Sequence, residues 1–350
     1  MTKSIKRQKK ARKLRNRITR KRIRKPSSKK RHNQSTMSTI SKRLDTLFYS
    51  VKKNKKGKDA SYIPQLAKVD PSYFGVYIVD TSGNTIYKNG DYTKEFAIES
   101  ISKVFTFAKA LSENTIHEVK KRIGLSGSPF PFNNILAVDQ TETGTVNPFV
   151  NAGAIATTCM VYEKYKPRKK STEHVKSTLL ETMSEYAGRK LTIGEKVYHS
   201  ESETNAHNKS LIYLLKSKNK LSPTLTNKDV ENCVDVYTYQ CSTKVNAQDL
   251  AHMASVFANN GISPRSKKHL LDTKKCEYLR RSIQVGGLYE YSGLWYANVG
   301  ENPAKSGVGG GIMIIVPDKY GIGIFSPRLD KYGNSVRGIE IGEKILTQIT

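Results

Sequence analysis

The apolar residues of this chain follow a strand pattern at both ends of its main part. Residues 75–80 (GVYIVD) are rich in strand formers, residues 82–84 (SGN) predict a turn, and residues 85–88 return as a partner strand. Nearer the C-terminus, residues 311–316 and 322–326 predict two more strands joined by a turn.

Between these strands the apolar residues repeat at helical spacing. The segment SISKVFTFAKAL (100–111) places apolar side chains three and four residues apart. Residues 246–259 predict another helix, with Asn246 as its N-cap, Asp249 at the third helical position and Gly261 just past its end. Strands at both ends of a helical middle predict an α+β fold, with helices flanking an antiparallel sheet.

The first part of the chain lacks such patterning. Residues 1–44 hold too few apolar side chains to offset the entropy of ordering, which predicts a disordered arm, and residues 45–60 predict a charged linker. The remainder, 61–350, is predicted as one domain. Its α/β part is expected at 61–115 and 285–350, and its mostly helical part at about 116–284.

Net charge is unevenly distributed between these parts. Of the formal +30, +19 belongs to residues 1–44, which contain no acidic residue. From residue 60 onward, 36 basic and 28 acidic residues leave a net charge of +8. The chain is therefore not a uniformly basic nucleic-acid binder; the distribution predicts a near-ordinary globular body behind a polycationic arm.

Other counts exclude further classes. The longest apolar run, 312–316, is far too short to span a membrane, and the N-terminus has no apolar segment typical of a secretory signal. The four cysteines are scattered and the seven histidines show no metal-ligand spacing. We therefore expect an intracellular location, cytoplasmic in the first instance, with neither a structural metal nor a cofactor.

Ser100 and Lys103 form an SxxK motif at the start of a predicted helix. Residues three apart share a helix face, and a lysine whose pKa is lowered by burial or by a second cation can take the proton of a serine nucleophile. Taken alone, such a pair is more often a solvated helix face. Lys305-Ser306-Gly307, ahead of a glycine-rich strand, favours the catalytic interpretation because it resembles the KTG element of penicillin-recognising serine enzymes. The alternative is a bulged edge strand with a solvated lysine.

Further segments, in matching order, resemble the serine-dependent glutaminases of β-lactamase-like fold. The resemblance extends from about residue 61 to 338. Its motifs are YIPQLA (62–67), SISKVF (100–105), NPFVNAGAI (147–155), Ser200-Glu201 with Asn208, Asp235-Val236-Tyr237 with Cys241-Ser242, Tyr289 with Ser292-Gly293, PAKSGV (303–308) and LDKYGNSV (329–336).

The resemblance implies a role for each matching residue. Ser100 would attack the carboxamide of glutamine with Lys103 as base, and the N–H groups of Ser100 and Val308 would hold the oxyanion. Tyr237 and Tyr289 would relay a proton to the departing ammonia. The implied substrate-binding residues are Tyr62, Ser100, Asn151, Glu201, Asn208, Tyr237, Tyr289 and Val308. Glu201 suits the α-ammonium, and Asn151 and Asn208 suit the carboxylate or amide. A homodimer or homotetramer is also implied.

Several positions have simpler interpretations. Asn147 and Asn151 are also typical of turns, Glu201 of a solvated loop, and Tyr237 of a strand or a core. His199 and His207 are expected at solvated loop positions. The chain departs from the family by carrying Glu99 where glutamine usually precedes the nucleophile. A carboxylate there would hold Lys103 protonated if it faced the site and would have no effect if it faced away.

Two other functions stay open at this stage. The body could be another SxxK acyl hydrolase, such as a β-lactamase or a peptidase. Alternatively, it could be an inactive scaffold whose basic arm binds nucleic acid or anionic surfaces by counterion release. The arm could also be a nuclear address or a mitochondrial transit peptide.

Overall fold

The computed structural model of this chain describes residues 28–60, 63–128, 131–139, 141–166 and 171–349, with side chains from residue 39 onward except that of Ala137. Internal contacts divide the chain after Arg43. Among the described residues, the unit that begins at Leu44 contains every strand and every helix except the first, which crosses the boundary.

The first helix, α1, spans Ser28–Lys52. Leu44, Phe48 and Val51 are buried along one side of it, and Phe48 stacks on Phe74 with ring centroids 4.5 Å apart. The structure thus corrects the prediction of a linker at 45–60, because this apolar stripe finds a packing partner and holds the chain helical to Lys52. The helix also covers residues 28–44 of the predicted arm, while residues 1–27 lie outside the described part of the chain.

In the described part of the chain, eight strands form two antiparallel sheets, and the predicted α+β class is confirmed. The strands are β1 Gly75–Asp80, β2 Thr85–Gly90, β3 Phe96–Ala97, β4 Thr192–Ile193, β5 Thr243–Val245, β6 Ala304–Ser306, β7 Gly311–Val316 and β8 Tyr320–Phe325. The larger sheet has the order β2-β1-β8-β7-β6, and the smaller has the order β3-β5-β4. The four predicted strands are all in the larger sheet, with β2 ending two residues later than predicted and β8 beginning two residues earlier.

Eleven further helices are described from residue 102 onward. They are α2 Ser102–Glu113, α3 Ile116–Arg122, α4 Asn151–Tyr165, α5 Ser171–Ala187, α6 Glu195–Thr204, α7 Ala206–Ser217, α8 Asn227–Cys241, α9 Ala247–Ala258, α10 Thr273–Gly286, α11 Ser292–Val299 and α12 Val336–Ile349. Helix α9 matches the predicted helix, and Asn246 and Asp249 form its capping box. Among the described helices, none is long and apolar enough to cross a membrane.

Helix α9 packs on the larger sheet, and α2 lies within the helical part. Gly323 of β8 lets α9 approach the sheet closely, because a Cβ at this position would lie 1.9 Å from the carbonyl oxygen of Ala247. A short 3₁₀ turn, Glu99–Ile101, leads into α2. It contacts β6 and β7 on one side and α8 on the other. The fold therefore places Ser100 where the sheet meets the helices.

Candidate active site

A cavity of about 370 Å³ opens at this junction. Its lining residues come in large part from the SxxK turn, helices α4, α6, α7 and α8, and the glycine-rich turn after β6, and seven of them bear on the chemistry. They are Glu99, Ser100, Asn151, Glu201, Asn208, Tyr237 and Val308. Six of these seven are site residues predicted from the sequence, so the fold gathers residues that are more than 200 positions apart in the chain. Tyr62, also predicted, lies outside the described residues.

Ser100 lies in the 3₁₀ turn rather than in the first turn of α2 itself. The turn is fixed by Ser102, whose hydroxyl donates to the carbonyl oxygen of Glu99 at 2.7 Å. Glu99 has a φ of +53°, a left-handed conformation that is strained for a residue with a side chain. This backbone conformation allows Glu99 and Ser100, although adjacent, both to line the cavity.

Lys103 is buried beneath the cavity. Its Nζ donates to the carbonyl oxygen of Phe149 at 3.0 Å and to Oδ1 of Asn151 at 2.7 Å. Burial lowers the pKa of Lys103 to about 8, against smaller opposing effects from Cys241 and Glu99. A substantial fraction of this amine is therefore neutral near physiological pH, as a base requires.

A second buried lysine, Lys305 on β6, lies beside the first. Its Nζ donates to the carbonyl oxygen of Ser306 at 2.7 Å and lies 4.2 Å from the ring centroid of Tyr289. Burial, followed by the charge of Lys103, holds the pKa of Lys305 well below that of an ordinary lysine. The alternative of a solvated lysine is therefore wrong.

Two tyrosines supply phenol groups at the site. Tyr237 lies on α8 and donates to Oδ1 of Asn151 at 3.3 Å, so the strand interpretation is wrong. The Tyr289 hydroxyl is buried and forms no hydrogen bond with a described residue. Burial raises the pKa of both phenols, and the nearby hydroxyls of Ser100 and Ser306 offset this only partly for Tyr289. Both groups therefore keep a proton at neutral pH.

Asn151, the first residue of α4, connects the lysine to the far wall of the cavity. Its Oδ1 accepts from Lys103 and Tyr237, and its Nδ2 donates to Oδ1 of Asn208 at 3.0 Å. Asn147, by contrast, is a turn residue, as the simpler interpretation of its motif predicted. Its Oδ1 accepts from the N–H groups of Phe149 and Val150 and so shapes the entry to α4.

Glu99 and Glu201 face one another across the cavity. Glu99 is only 4% exposed. Burial, followed by the charge of Glu201, holds the pKa of Glu99 well above its usual value. Burial also raises the pKa of Glu201 to about 7. Glu99 thus faces the site, and its charge raises the pKa of Lys103, but the burial of that lysine outweighs this effect. Glu201 lies on α6 rather than in a loop.

The glycine-rich turn after β6 completes the wall next to the nucleophile. The N–H of Gly310 donates to the carbonyl oxygen of Gly307 at 2.9 Å, while the N–H of Val308 bonds to none of the described residues. A Cβ at Gly309 would lie 2.3 Å from the carbonyl oxygen of Ala97, so glycine lets this turn pack beside Glu99 and Ser100. A backbone donor is thereby left free near the serine.

Several residues that line or adjoin the cavity were not predicted to belong to the site, and three of them have informative contacts. Phe132 packs against Tyr289 with ring centroids 4.7 Å apart, and Cys241 lies 3.6 Å from the hydroxyl of Ser102. His207 lines the cavity from α7, where its Nε2 contacts the carbonyl oxygen of Asn133, so the expectation of a loop position is wrong. His199, on α6, is exposed. In the described part of the chain, no group of three or more His, Cys, Asp or Glu side chains is arranged to hold a metal ion.

Comparisons with known proteins show which family this chain is similar to. A family model described as Glutaminase matches residues 57–350. A glutaminase of Colwellia psychrerythraea is 42% identical over 294 residues, which cover 84% of this chain and 90% of that protein. A glutaminase of Clostridium tetani is 36% identical, with 85% and 94% covered.

Solved structures agree as well. One described as "Probable glutaminase ybaS" superposes with a TM-score of 0.82 at 36% identity, covering 89% of this chain and 97% of that one. Another, Mglu in its glutamate form, has a TM-score of 0.78 at 34% identity, covering 87% and 67%.

Proposed function

The chain belongs to the glutaminase family and is a glutaminase, and we propose that it hydrolyses L-glutamine to L-glutamate and ammonia through a covalent acyl-enzyme on Ser100. The observation that carries this mechanism is the buried Lys103, whose pKa of about 8 suits a general base, one helical turn from a cavity-lining serine. The related Mglu structure in its glutamate form supports a cavity of this fold that accepts the product.

In the first half of the reaction, the Ser100 hydroxyl attacks the side-chain carboxamide carbon and Lys103 takes the proton. The N–H groups of Ser100 and Val308 hold the oxyanion, which needs donors that are not already engaged. Tyr289 and Tyr237, which keep their protons at neutral pH, relay a proton to the leaving nitrogen. Ammonia departs and leaves a glutamyl ester on Ser100.

In the second half, water attacks this ester, and glutamate leaves with Ser100 restored. Binding of the amino-acid end falls to Glu201 for the α-ammonium and to Asn151 and Asn208 for the α-carboxylate. The pairing of Asn151 with Asn208 holds both amides on one side of the cavity. Tyr62 belongs to the proposed binding set through its sequence motif alone.

The test is ammonia release from L-glutamine by the full chain and by Ser100→Ala. We expect the variant to lose at least about a thousandfold in kcat, because removal of a nucleophile leaves only binding and oxyanion stabilisation. Ser112→Ala, at an exposed position on α2, is the matched control and should keep wild-type activity. Ammonia release by Ser100→Ala at the wild-type rate would refute the acyl-enzyme.

We further propose a homodimer or homotetramer in the cytoplasm. Four buried, unpaired cysteines support a reducing compartment. Light scattering coupled to size exclusion tests the assembly, and a monomer at micromolar concentration would refute it.

A further inference from the structure

Two acidic side chains in the cavity stand without partners. Oε1 of Glu99 and Oε1 of Glu201 are both buried, and neither accepts a hydrogen bond from a described residue. Both carboxyl groups line the same cavity, and the charge of Glu201 raises the pKa of Glu99. Glu99 packs beside the glycine-rich turn, since Cβ atoms added at Gly307 and Gly309 would lie 3.2 Å from its Cβ and 3.3 Å from its Cγ.

The surroundings of this pair supply little positive charge. The ionisable groups that act on it are Lys103 from α2, Tyr237 and Cys241 from α8, and Tyr289 from the turn before α11. The basic side chains nearby are Lys103, whose Nζ is bonded to Phe149 and Asn151, Lys305 beside it, and His207 in the cavity lining. Of these, Lys103 acts on Glu99 but is outweighed by burial and by the charge of Glu201, which favours one retained proton on the pair.

We propose that Glu99 and Glu201 share one proton in the empty site and that the α-ammonium of the substrate takes its place, so that glutamine binding releases a proton to the solvent. Glu99 is thereby a substrate-recognition residue alongside Glu201. This inference rests on the proposed function, since it concerns how the same cavity recognises the amino-acid end of glutamine.

The direction of the exchange follows from electrostatics. A cation placed between two carboxyl groups stabilises both ionised forms and lowers the pKa of each. At about pH 8, Glu201 in the empty site is already above its pKa of about 7, while burial and the charge of Glu201 hold the pKa of Glu99 well above its usual value. In this proposal, the proton released on glutamine binding at this pH is the one held by Glu99.

The experiment measures proton release directly. Ser100→Ala keeps glutamine intact, so binding can be measured without turnover. The enthalpy of glutamine binding to this variant is measured at about pH 8 by titration calorimetry in several buffers that differ in ionisation enthalpy. The slope of the binding enthalpy against the buffer ionisation enthalpy gives the number of protons released. We expect about one proton for Ser100→Ala and close to none for Ser100→Ala with Glu99→Gln, since an amide can donate to Glu201 but has no proton to lose. Ser100→Ala with Glu203→Gln, an exposed position on α6, should match the parent.

Equal proton release with and without Glu99→Gln would overturn the proposal. A second measurement needs no change at Glu99: because binding releases a proton, the affinity of Ser100→Ala for glutamine should strengthen as the pH rises from about 7.5 to 8.5. A constant affinity over that range would also overturn it. Ammonia release by the wild-type chain tests the proposed function separately, so glutamine turnover without proton linkage would refute this inference alone.

Discussion

Lys103 can act as a base only as a neutral amine, and its surroundings set the pH at which that form appears. Burial lowers its pKa to about 8, so the neutral fraction grows about tenfold per pH unit up to that value and levels off above it. The kcat of the proposed reaction should follow the same curve. Asn151 is the neighbour through which this pKa can be changed, because its Oδ1 lies 2.7 Å from Nζ.

Asn151→Asp should move the rise of kcat to higher pH. A carboxylate at hydrogen-bonding distance stabilises the ammonium form and raises the pKa of a lysine by about one to three units. We expect kcat at about pH 7.5 to fall at least tenfold and to recover in part above about pH 9, measured as kcat against pH.

Asn227→Asp provides the matched control for this variant. Asn227 also accepts a lysine hydrogen bond through Oδ1, from Lys216 at 2.8 Å, but at an exposed position away from the cavity. Its pH profile should match that of the wild type. A profile of Asn151→Asp that rises at the wild-type pH would contradict the role given to Lys103.

The sequence identified the position of Lys103 but not its environment. Spacing alone paired it with Ser100, since residues three apart share a helix face. The orientation of Glu99 could not be predicted, because it depends on a positive φ that arises where the turn meets β6 and β7. Phe132 had no site signal, and Cys241, although part of a matching motif, was not assigned to the site, because both residue types are common in ordinary cores.

At the scale of elements, the helix that carries Glu201 is unusual. None of the ten residues of α6 is fully buried, although the carboxyl group of Glu201 is buried at Oε1. Tyr198 attaches it instead: the phenol donates to Asp235 on α8 and accepts from Lys176 on α5 at 3.1 Å. Lys176 also pairs with Asp235 at 2.9 Å. The position of Glu201 therefore depends on a polar network more than on core packing.

Tyr198→Phe should consequently weaken substrate binding. Loss of a hydrogen bond to a charged group costs about 1.5–3 kcal/mol, part of which solvent recovers at this half-buried site. We expect KM for glutamine to rise about three- to tenfold while kcat stays within about twofold, measured by steady-state ammonia release.

Tyr213→Phe is the control for this substitution. It removes a phenol that donates to Glu231 at the surface of α7. Its KM should equal that of the wild type. An unchanged KM in Tyr198→Phe, or a fall confined to kcat, would show that α6 is held by other contacts.

Elements were predictable where local signals agreed. Runs of strand-forming residues predicted β1, β7 and β8, and the N-cap at Asn246 with apolar residues at helical spacing predicted α9. The segment around Tyr237 was ambiguous because Val236, Tyr237, Thr238 and Tyr239 also suit a strand. The helix forms because Thr226 and Asp229 make a capping box at its start. One face of it is also buried, through Val230, Cys233, Val234, Tyr237 and Cys241. The stripe on α1 was missed because its partner, Phe74, is distant in sequence.

For the whole molecule, charge and chemistry are carried by different segments. The family model begins at residue 57, and the basic arm precedes it. Residues 1–27 alone carry 14 Lys or Arg and no acidic residue. No predicted catalytic or binding residue lies among them. A segment of this composition binds polyanions mainly by releasing counterions, which is independent of glutamine hydrolysis.

Deletion of residues 1–27 should therefore separate two properties. We expect the full chain to bind duplex nucleic acid with an affinity that falls about 10³-fold or more between about 50 and 200 mM salt, as for six or more neutralised phosphates. The deleted chain should lose most of this affinity, measured by fluorescence anisotropy, while its kcat/KM for glutamine stays that of the full chain.

A variant with the residues of the arm in scrambled order should still bind, because counterion release depends on charge and not on sequence. Binding that withstands salt, or that survives the deletion, would place the nucleic-acid contact elsewhere, and a fall in kcat/KM would show that the arm takes part in glutamine hydrolysis.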